Sequence, residues 1–400
     1  NNHKYKVYYL NGTFKIDTNI NLDDSTIAFH NVGLSNEMVT INTGREIKST
    51  TGKGLAVASN KDATTNTSSG YINKGNVNIT GGSLASGTIG LNVSYGTVKN
   101  EKNAELKKLY YQVYGTPCGD WYDGINPNSK DSDLYLKNFV EGAEHARKTP
   151  IVVIYGIPNR DCGSFSGGGH PNAASYRAWI DRVSAIIGQR RAVVIIEPDA
   201  INYCGHKKGS AEYKERADLL TYCARKLKEN NPNVASYIHA GNSDLVTKHP
   251  EAVANAIIDG GLQYMRGFAL NVSGLGGTAE EQAGAERFVT YLASKGFKDV
   301  HYVIDTGRSG INRPKHQNAN APYNSCNNFN AALGPRSTTK TTGAHADAYL
   351  WINGGGGSDG ECNMGAPAAG LPYPEYTRHL VQNAMRVKSI EILEVPQNLK

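Results

Sequence analysis

The sequence predicts an α/β protein with a parallel sheet, preceded by an all-β segment. Residues 151–155 and 193–196 are apolar, β-branched runs, which are typical of strands buried on both faces of a parallel sheet. Each run ends near a proline and is followed by an aspartate, Asp161 and Asp199. Strand-like and helical stretches alternate after residue 104, and this alternation fits a β/α barrel or, alternatively, a doubly wound sheet.

The first 104 residues differ in composition, and we expect them to form a domain separate from residues 105–400. They are rich in Asn, Thr, Gly, Ser, Ile and Val and contain no cysteine or tryptophan. Residues 52–57 and 87–93 are imperfect copies of one short strand unit flanked by glycines. A β-solenoid and an irregular all-β module both explain this pattern. The repeat also resembles the β-helical passenger regions of bacterial autotransporters.

Residues 105–400 contain seven strand-like runs, with helical stretches between several of them. Catalytic side chains collect at the carboxyl ends of barrel strands, so Asp161 and Asp199 are the first candidates. Two such carboxyl groups are the minimum equipment for hydrolysis of a glycosidic bond. The strand-like runs are residues 110–114, 151–155, 193–196, 234–238, 267–272, 300–304 and 346–352. The helical stretches are residues 176–187, 213–227, 250–258 and 279–294.

Length, composition and charge argue against several classes of function. The chain has 400 residues, of which 20% are charged, and its mean hydropathy is −0.46. No apolar run approaches the roughly 20 residues of a membrane span, and the first residues lack the apolar core of a signal peptide, as in a mature or truncated secreted chain. The net charge of +6 is diffuse, without a basic cluster interleaved with aromatic residues, which disfavours a nucleic-acid partner.

Four short motifs occur in an order that resembles glycoside hydrolase family 6, the inverting cellulases that cut β-1,4-glucan. The resemblance covers roughly residues 110–385 and includes the spacing of 38 residues between positions 161 and 199. It implies a distorted seven-stranded parallel β/α barrel. The motifs are Tyr155-x-x-Pro158-x-Arg160-Asp161-Cys162, Glu197-Pro198-Asp199, Ile304-Asp305-Thr306-x-Arg308-x-Gly310, and Trp351 with Ser358-Asp359-Gly360.

The resemblance implies three catalytic aspartates. Asp199 would be the general acid that protonates the leaving oxygen, and Asp161 the neighbouring carboxylate that keeps it protonated and organises the attacking water. Asp359 corresponds to the candidate general base, which in an inverting enzyme lies about 6.5–9.5 Å from the acid. From the residues alone, Asp161 also fits a strand-end cap or a partner for Arg160. Asp359 also fits an ordinary Asp-Gly turn.

The resemblance also implies four substrate-binding residues. Tyr155 would lie under the sugar at the cleavage site, and Trp121 would stack on a neighbouring sugar; an ordinary buried core aromatic is the alternative for each. Ser166 lies in a glycine-rich loop that closes over the site in the family. Arg308 would hold the strand-end carboxylates or contact sugar hydroxyl groups.

None of the six cysteines forms a Cys-x-x-Cys pair, so neither structural zinc nor another metal or cofactor is expected. Their even number favours disulfides and a secreted or cell-surface location. Cys118 and Cys223 have no partner in the family and are expected to be free or joined to each other. The resemblance implies the disulfides Cys162–Cys204 and Cys326–Cys362.

The sequence departs from the family in three segments. The family usually has Lys-x-x-Gly-Glu-x-Asp, whereas residues 353–359 are Asn-Gly-Gly-Gly-Gly-Ser-Asp, so two charged residues that contact sugar in the family are absent. The family's Asp-Ala-Gly-His appears as His-Ala-Gly-Asn in residues 239–242, and residues 274–277 lack the aromatic residue and the asparagine that usually follow the serine in the family. The motif residues around the expected acid are therefore present, while several residues that bind glucan in the family are absent.

Three functions compete at this point. The first is an inverting, endo-acting β-1,4-glucan hydrolase, because the stretches 161–199 and 326–362 are too short to roof the cleft. The second is a carbohydrate-binding or weakly active relative with decayed subsites. The third is a surface adhesin carried by residues 1–104. We expect a polysaccharide partner and a monomer.

Overall fold

The computed structural model describes residues 104–124, 130–321, 323–362 and 365–395, together with short strands before residue 104. The chain divides into two compact units. In the described part, no helix combines the length and apolar character that crossing a membrane requires. One unit comprises Asn1–Lys108, Ser129–Gly142 and Glu394–Lys400, and the other comprises Leu109–Asn128 and Ala143–Leu393.

The strands before residue 104 pair in parallel, each with the strand three positions further along the chain. The predicted β-solenoid stays a prediction, because the turns and the side chains of this segment lie outside the described residues, as does the resemblance to autotransporter passengers. The strands are β1 (Val7–Leu10), β2 (Phe14–Ile16), β3 (Ile20–Leu22), β4 (Thr26–Phe29), β5 (Met38–Ile41), β6 (Glu46–Ser49), β7 (Leu55–Val57), β8 (Asn76–Ile79), β9 (Ser83–Ser86), β10 (Leu91–Val93) and β11 (Thr97–Val98).

Seven parallel strands form the sheet of the second unit, in the order of the chain. Strands at the two ends of this order do not pair within the described residues, so the sheet is an open, curled half-barrel. The parallel seven-stranded sheet predicted from the sequence is confirmed. The strands are β12 (Asp120–Tyr122), β13 (Ile151–Ile154), β14 (Ala192–Ile196), β15 (Val234–His239), β16 (Gly267–Leu270), β17 (His301–Asp305) and β18 (Ala346–Leu350).

The first strand is not where the sequence predicted it. Residues 110–114 lie in helix α1 (Ala104–Tyr114), and the strand is β12. The aromatic run favoured a strand locally, but Gln112 and Val113 are adjacent and both buried, which does not fit the alternation of a half-buried strand. The Gln112 side chain also exchanges two hydrogen bonds with the backbone of Leu393. Tertiary contacts therefore override local strand propensity here.

The four predicted helices are present, each beginning within three residues of its predicted start. Side-chain caps explain two of these starts, because Asn172 accepts the N–H of Ser175 and Ser210 accepts that of Tyr213. After α1, the helices are α2 (Lys130–His145), α3 (Ala173–Ile187), α4 (Ala211–Asn230), α5 (Ser243–Lys248), α6 (Pro250–Asp259), α7 (Thr278–Ser294) and α8 (Pro374–Val387).

Both faces of the half-barrel are buried, as expected for a parallel sheet. On the inner face, Val153, Ile195 and Tyr237 form one row of register-paired residues within a single apolar cluster. On the outer side, Tyr176 and Trp179 of α3 are fully buried. The carboxyl ends of the strands are thus held rigidly at one edge.

Candidate active site

Several carboxyl groups lie at or just beyond the carboxyl ends of the half-barrel strands. Asp161 follows β13, Glu197 and Asp199 follow β14, Asp305 ends β17 and Asp359 follows β18. Because the strands are parallel and in chain order, these ends share one edge of the sheet. The sequence predicted three of these carboxylates as catalytic and assigned no role to Asp305.

Asp161 opens a short 3₁₀ turn and has left-handed backbone, with φ of 53°. Its Oδ2 accepts the N–H of Ser166 at 3.0 Å. Burial raises the pKa of Asp161; the Ser166 bond opposes this, and the charge of Asp199 raises the pKa further. Arg160 makes its ion pair with Asp123 instead, at 3.4 Å, so the structure does not favour Asp161 as the partner of Arg160.

Asp199 is the exposed member of the pair, with 48% of its side chain accessible. Its backbone is also left-handed, with φ of 67°, and its N–H donates to Nδ1 of His239 at 3.0 Å. The predicted disulfide Cys162–Cys204 is present, with 5.4 Å between its Cα atoms. It joins the turn that carries Asp161 to the turn that carries Asp199.

Glu197 links the same two turns from below, and the sequence predicted no role for it. Its fully buried carboxylate accepts the backbone N–H of Gly156 with both oxygens, at 3.1 and 3.0 Å, and that of Ile157 at 3.1 Å. Burial raises its pKa to about 7, against the lowering effect of these bonds. The sequence signal that could have identified Glu197 is its position directly after a buried apolar strand.

Asp305 performs the corresponding task at the ends of β16, β17 and β18. Its buried carboxylate accepts backbone N–H groups from Ser273, Gly307 and Asn353 at 2.9 to 3.0 Å, and from Ile352 at 3.2 Å. Burial raises the pKa of Asp305 to about 6, although these bonds oppose the shift. The residue therefore fixes three strand ends through backbone contacts.

Asp359 is held by a buried ion pair. Arg308 Nη1, whose side chain is 2% exposed, donates to Asp359 Oδ2 at 2.6 Å and to the Tyr376 hydroxyl at 3.0 Å. Asn327 also donates its N–H to the same oxygen at 2.9 Å and accepts the N–H of Asp359 at 2.9 Å. The predicted disulfide Cys326–Cys362 brackets the segment, with 6.3 Å between Cα atoms. These contacts exceed those of an ordinary Asp-Gly turn.

Trp121 and Tyr155 form an edge-to-face pair, with ring centroids 5.1 Å apart. Trp121 is partly exposed and its Nε1 donates to the backbone oxygen of Ile352 at 3.0 Å. Tyr155 is 8% exposed. Burial raises the pKa of Tyr155, and the charges of Asp199 and Asp161 raise it further.

The glycine-rich loop that contains Ser166 is pinned at its base. Arg160 donates from Nε to the backbone oxygen of Ser166 at 2.8 Å, and from its N–H to that of Gly168 at 2.9 Å. At the tip, Phe165 is 43% exposed and meets Tyr323 edge to face, with centroids 6.4 Å apart. Sequence patterns gave no signal for this contact, because its partners are 158 positions apart (165 to 323).

Cys118 and Cys223 are both free, which decides between the two alternatives left by the sequence. Cys223 is buried on α4 and Cys118 is half-buried near β12. Within the described residues, no cluster of three or more His, Cys, Asp or Glu side chains could hold a metal ion.

A parallel half-barrel with carboxyl groups at neighbouring strand ends fits the class of the glycoside hydrolase barrels. The comparison with family models makes this specific: residues 92–384 match the model of glycosyl hydrolases family 6, and the chain belongs to that family. The resemblance found in the sequence is thereby confirmed.

Individual relatives agree with this assignment. The chain is similar to Endoglucanase A of Cellulomonas fimi (35% identity over 281 residues, 70% of this chain and 56% of that protein) and to Endoglucanase 1 of Streptomyces halstedii (34%, 70% and 83%). It thus spans little more than half of the first of these relatives. The solved endoglucanase Cel6 of Mycobacterium tuberculosis, in complex with methyl-cellobiosyl-4-deoxy-4-thio-β-D-cellobioside, is 36% identical, with a TM-score of 0.61 over 69% of this chain and 90% of that chain.

Proposed function

We propose that this chain is an inverting, endo-acting hydrolase of β-1,4-glucan with Asp199 as its general acid. The observation that carries the proposal is the disulfide-linked pair of turns that brings Asp161 and Asp199 to neighbouring strand ends. The two curated relatives named above are endoglucanases, which supports glucan as the substrate. The cellobioside analogue in the Mycobacterium tuberculosis complex supports the same substrate class.

Asp199 suits proton donation because it is accessible. Its side chain is 48% exposed, compared with 18% for Asp359, so it can reach a glycosidic oxygen in the cleft. Asp161 lies close enough for the charge of Asp199 to raise its pKa. Two neighbouring carboxylates disfavour double ionisation, which is the role proposed for Asp161 beside the acid.

The water side of the reaction involves Asp359 and the Ser166 loop. An inverting enzyme needs a water between its base and the face of the sugar opposite the acid. Asp359 is the candidate base, since Arg308 and Asn327 both bind its Oδ2 and orient the carboxylate. Ser166 and Asp161 are candidates to position the water, because their hydrogen bond keeps the loop over the turn.

Trp121 and Tyr155 form the proposed sugar platform. The partly exposed indole offers a flat apolar face to the CH-rich face of glucose. Tyr155, nearly buried and acted on by the charges of both carboxylates, lies under the proposed cleavage position. Arg308 contributes indirectly, by holding Asp359.

An open cleft supports internal cleavage. The acid-bearing turns are 38 residues apart (161 to 199), and α3 and β14 occupy most of that stretch. Cys326 and Cys362 are 36 residues apart, with β18 between them. We infer that both stretches are too short to roof a tunnel.

The test is a combined assay on a soluble β-1,4-glucan. We expect rapid loss of viscosity relative to reducing-end release, mixed oligosaccharides, and an α-configured new reducing end by NMR. Cellobiose as the early product with unchanged viscosity would contradict endo action. A β-configured first product would contradict inversion.

The segment 353–357, Asn-Gly-Gly-Gly-Gly, keeps a second function open, a carbohydrate-binding or weakly active relative. Glycine or asparagine stands there in place of the two charged family residues. Glucan binding without reducing-end release would favour this alternative. The two disulfides support secretion or the cell surface. We also propose a domain boundary near residue 104; an adhesive role for residues 1–104 falls outside the described residues.

A further inference from the structure

His239 is the last residue of β15 and occupies the position of the aspartate in the family's Asp-Ala-Gly-His motif. The imidazole is 6% exposed. Its Nδ1 accepts the N–H of Asp199 at 3.0 Å, and its Nε2 lies 3.2 Å from the backbone oxygen of Gly241. The mechanism proposed above does not use this histidine.

These two contacts fix the tautomer and charge of the ring. Because the Asp199 N–H is a donor, Nδ1 must offer a lone pair, and because the Gly241 oxygen is an acceptor, Nε2 must carry the proton. The ring is then neutral. Burial lowers the pKa of His239, although the charge of Asp199 opposes this, so the geometry and the electrostatics agree.

We propose that His239 is a positioning residue that holds Asp199 ready for proton donation and that ends activity at low pH by taking up a proton. This inference rests on the proposed role of Asp199 as general acid.

The positioning part follows from the backbone of Asp199. Its φ of 67° is left-handed, a region that non-glycine residues adopt only when surrounding contacts hold them there. The N–H bond to His239 holds it from the side of β15. The Cys162–Cys204 disulfide holds the same turn from the side of β13.

The pH part follows from adding a proton to Nδ1. The ring would then present N–H to the N–H of Asp199, and the holding bond would be lost. The resulting cation would lie 3.7 Å from Asp199 Oδ1 and would favour the ionised carboxylate, which cannot donate a proton. Activity should therefore fall as the pH drops through the pKa of His239, which lies below its usual value of 6.5.

Among the described residues, Asp199 supplies the charge that acts on the His239 ring. Glu197, in the same turn, binds backbone N–H groups after β13. Asp244, on α5, forms ion pairs with Arg313 and Lys248. The turn after β16, residues 271–275, has no ionisable side chain.

Two substitutions separate positioning from titration. His239→Asn keeps an acceptor at the place of Nδ1 but does not titrate, and His239→Leu removes the acceptor. We expect His239→Leu to lower kcat on soluble glucan by about 10- to 100-fold with KM little changed, as for a misplaced catalytic group. His239→Asn should recover most of this loss, and its rate should continue at low pH where that of the wild type falls. His206→Asn, which removes an exposed histidine of the following turn, is the matched control.

A structural role alone predicts equal losses for both variants and an unchanged pH profile, and that result would overturn the proposal. NMR of the imidazole nitrogens in the full wild-type chain, with His239→Asn used for assignment, tests the contact independently of folding of the leucine variant. We expect Nε2 protonated and Nδ1 unprotonated at pH 6.5; a cationic ring at that pH would also overturn it. If the wild type cleaves no glucan, the proposed function fails, and the NMR result still decides the state of His239.

Discussion

The two sides of the candidate site are built from similar parts but hold their aspartates differently. On the acid side, buried Glu197 binds the turns after β13 and β14 together, and on the base side buried Asp305 does the same for three strand ends. Asp199, however, is exposed and held through its backbone by a neutral histidine, whereas Asp359 is held through its carboxylate by Arg308.

This difference indicates how two carboxyl groups in one cleft can be given different tasks. In the proposed mechanism Asp199 donates a proton, and its side chain is free while its main chain is held. Asp359, the proposed base, has one oxygen committed to a guanidinium and a backbone N–H. The carboxylates of Glu197 and Asp305 are buried and stabilise the strand ends through hydrogen bonds from backbone N–H groups.

The largest expected effect comes from Asp199→Asn, which keeps the shape and removes the proton. General acid catalysis contributes about 10²- to 10⁴-fold, so we expect at least this loss on polysaccharide. The loss should be smaller on an aryl cellobioside, whose leaving group needs no proton. Asp299→Asn, at a position 89% exposed, is the control. Equal losses on both substrates would contradict the assignment of the acid.

The two disulfides allow the two sides of the candidate site to be compared by their effects on stability and on kinetics. Removing either one by paired Cys→Ser substitution should lower the free energy of unfolding by about 3–4 kcal/mol, because the closed loops of 42 and 36 residues are similar in length. Denaturant unfolding measures this. Loss of Cys162–Cys204 should reduce kcat, since it holds the acid turn, while loss of Cys326–Cys362 should act on the Asp359 side. Six free thiols in the oxidised, folded protein would refute both pairings.

The buried carboxylates predict a dependence of stability on pH. The pKa of Glu197 is raised to about 7 and that of Asp305 to about 6, both above their unfolded values. The folded state therefore binds more protons, and the contribution of each group to stability is lost as the pH rises through its folded pKa. We expect Glu197→Gln to flatten the fall in unfolding free energy between pH 5 and 8 by on the order of 1–3 kcal/mol. If the unfolding free energy of the variant depends on pH with the same slope as that of the wild type, the raised pKa of the buried Glu197 carboxyl is contradicted.

Much of the fold could be predicted, because its signals are local. Strands β13 and β14 are continuous apolar runs, and the helices show their periodicity and caps. The misplaced first strand shows the limit, since an aromatic run has strand propensity until buried contacts such as those of Gln112 decide otherwise. The disulfide pairings came from family resemblance, because spacing alone leaves the connectivity of six cysteines open.

Candidate site residues could be named from the sequence where the residue type indicates its chemistry, whereas long-range contacts could not be predicted. Asp161, Asp199 and Asp359 follow from motifs, whereas the bond between His239 and the backbone of Asp199 joins residues 40 positions apart. Sequence patterns carry no information on which backbone N–H a side chain will face. The same holds for Phe165 and Tyr323.

The smallest expected effect concerns the two charged family residues that are missing from the segment before Asp359. Gly357 stands where the family has glutamate, its backbone does not require glycine, and an added Cβ would meet its nearest neighbour, the oxygen of Gly370, at an ordinary 3.6 Å. Gly357→Glu should therefore fold normally and add a sugar contact, lowering KM for soluble glucan by a few-fold to about tenfold, or roughly 1 kcal/mol, with kcat little changed.

The matched control is Gly355→Ala, two residues earlier. Its φ is +66° and its Cβ would lie 2.7 Å from Leu333 Cδ2, so this change should destabilise the protein by about 1–2 kcal/mol without improving KM. If Gly357→Glu leaves KM unchanged while the protein remains folded, the lost charges do not limit substrate binding. The weakness of the base side would then lie in the orientation of Asp359 itself, which Arg308 and Asn327 determine.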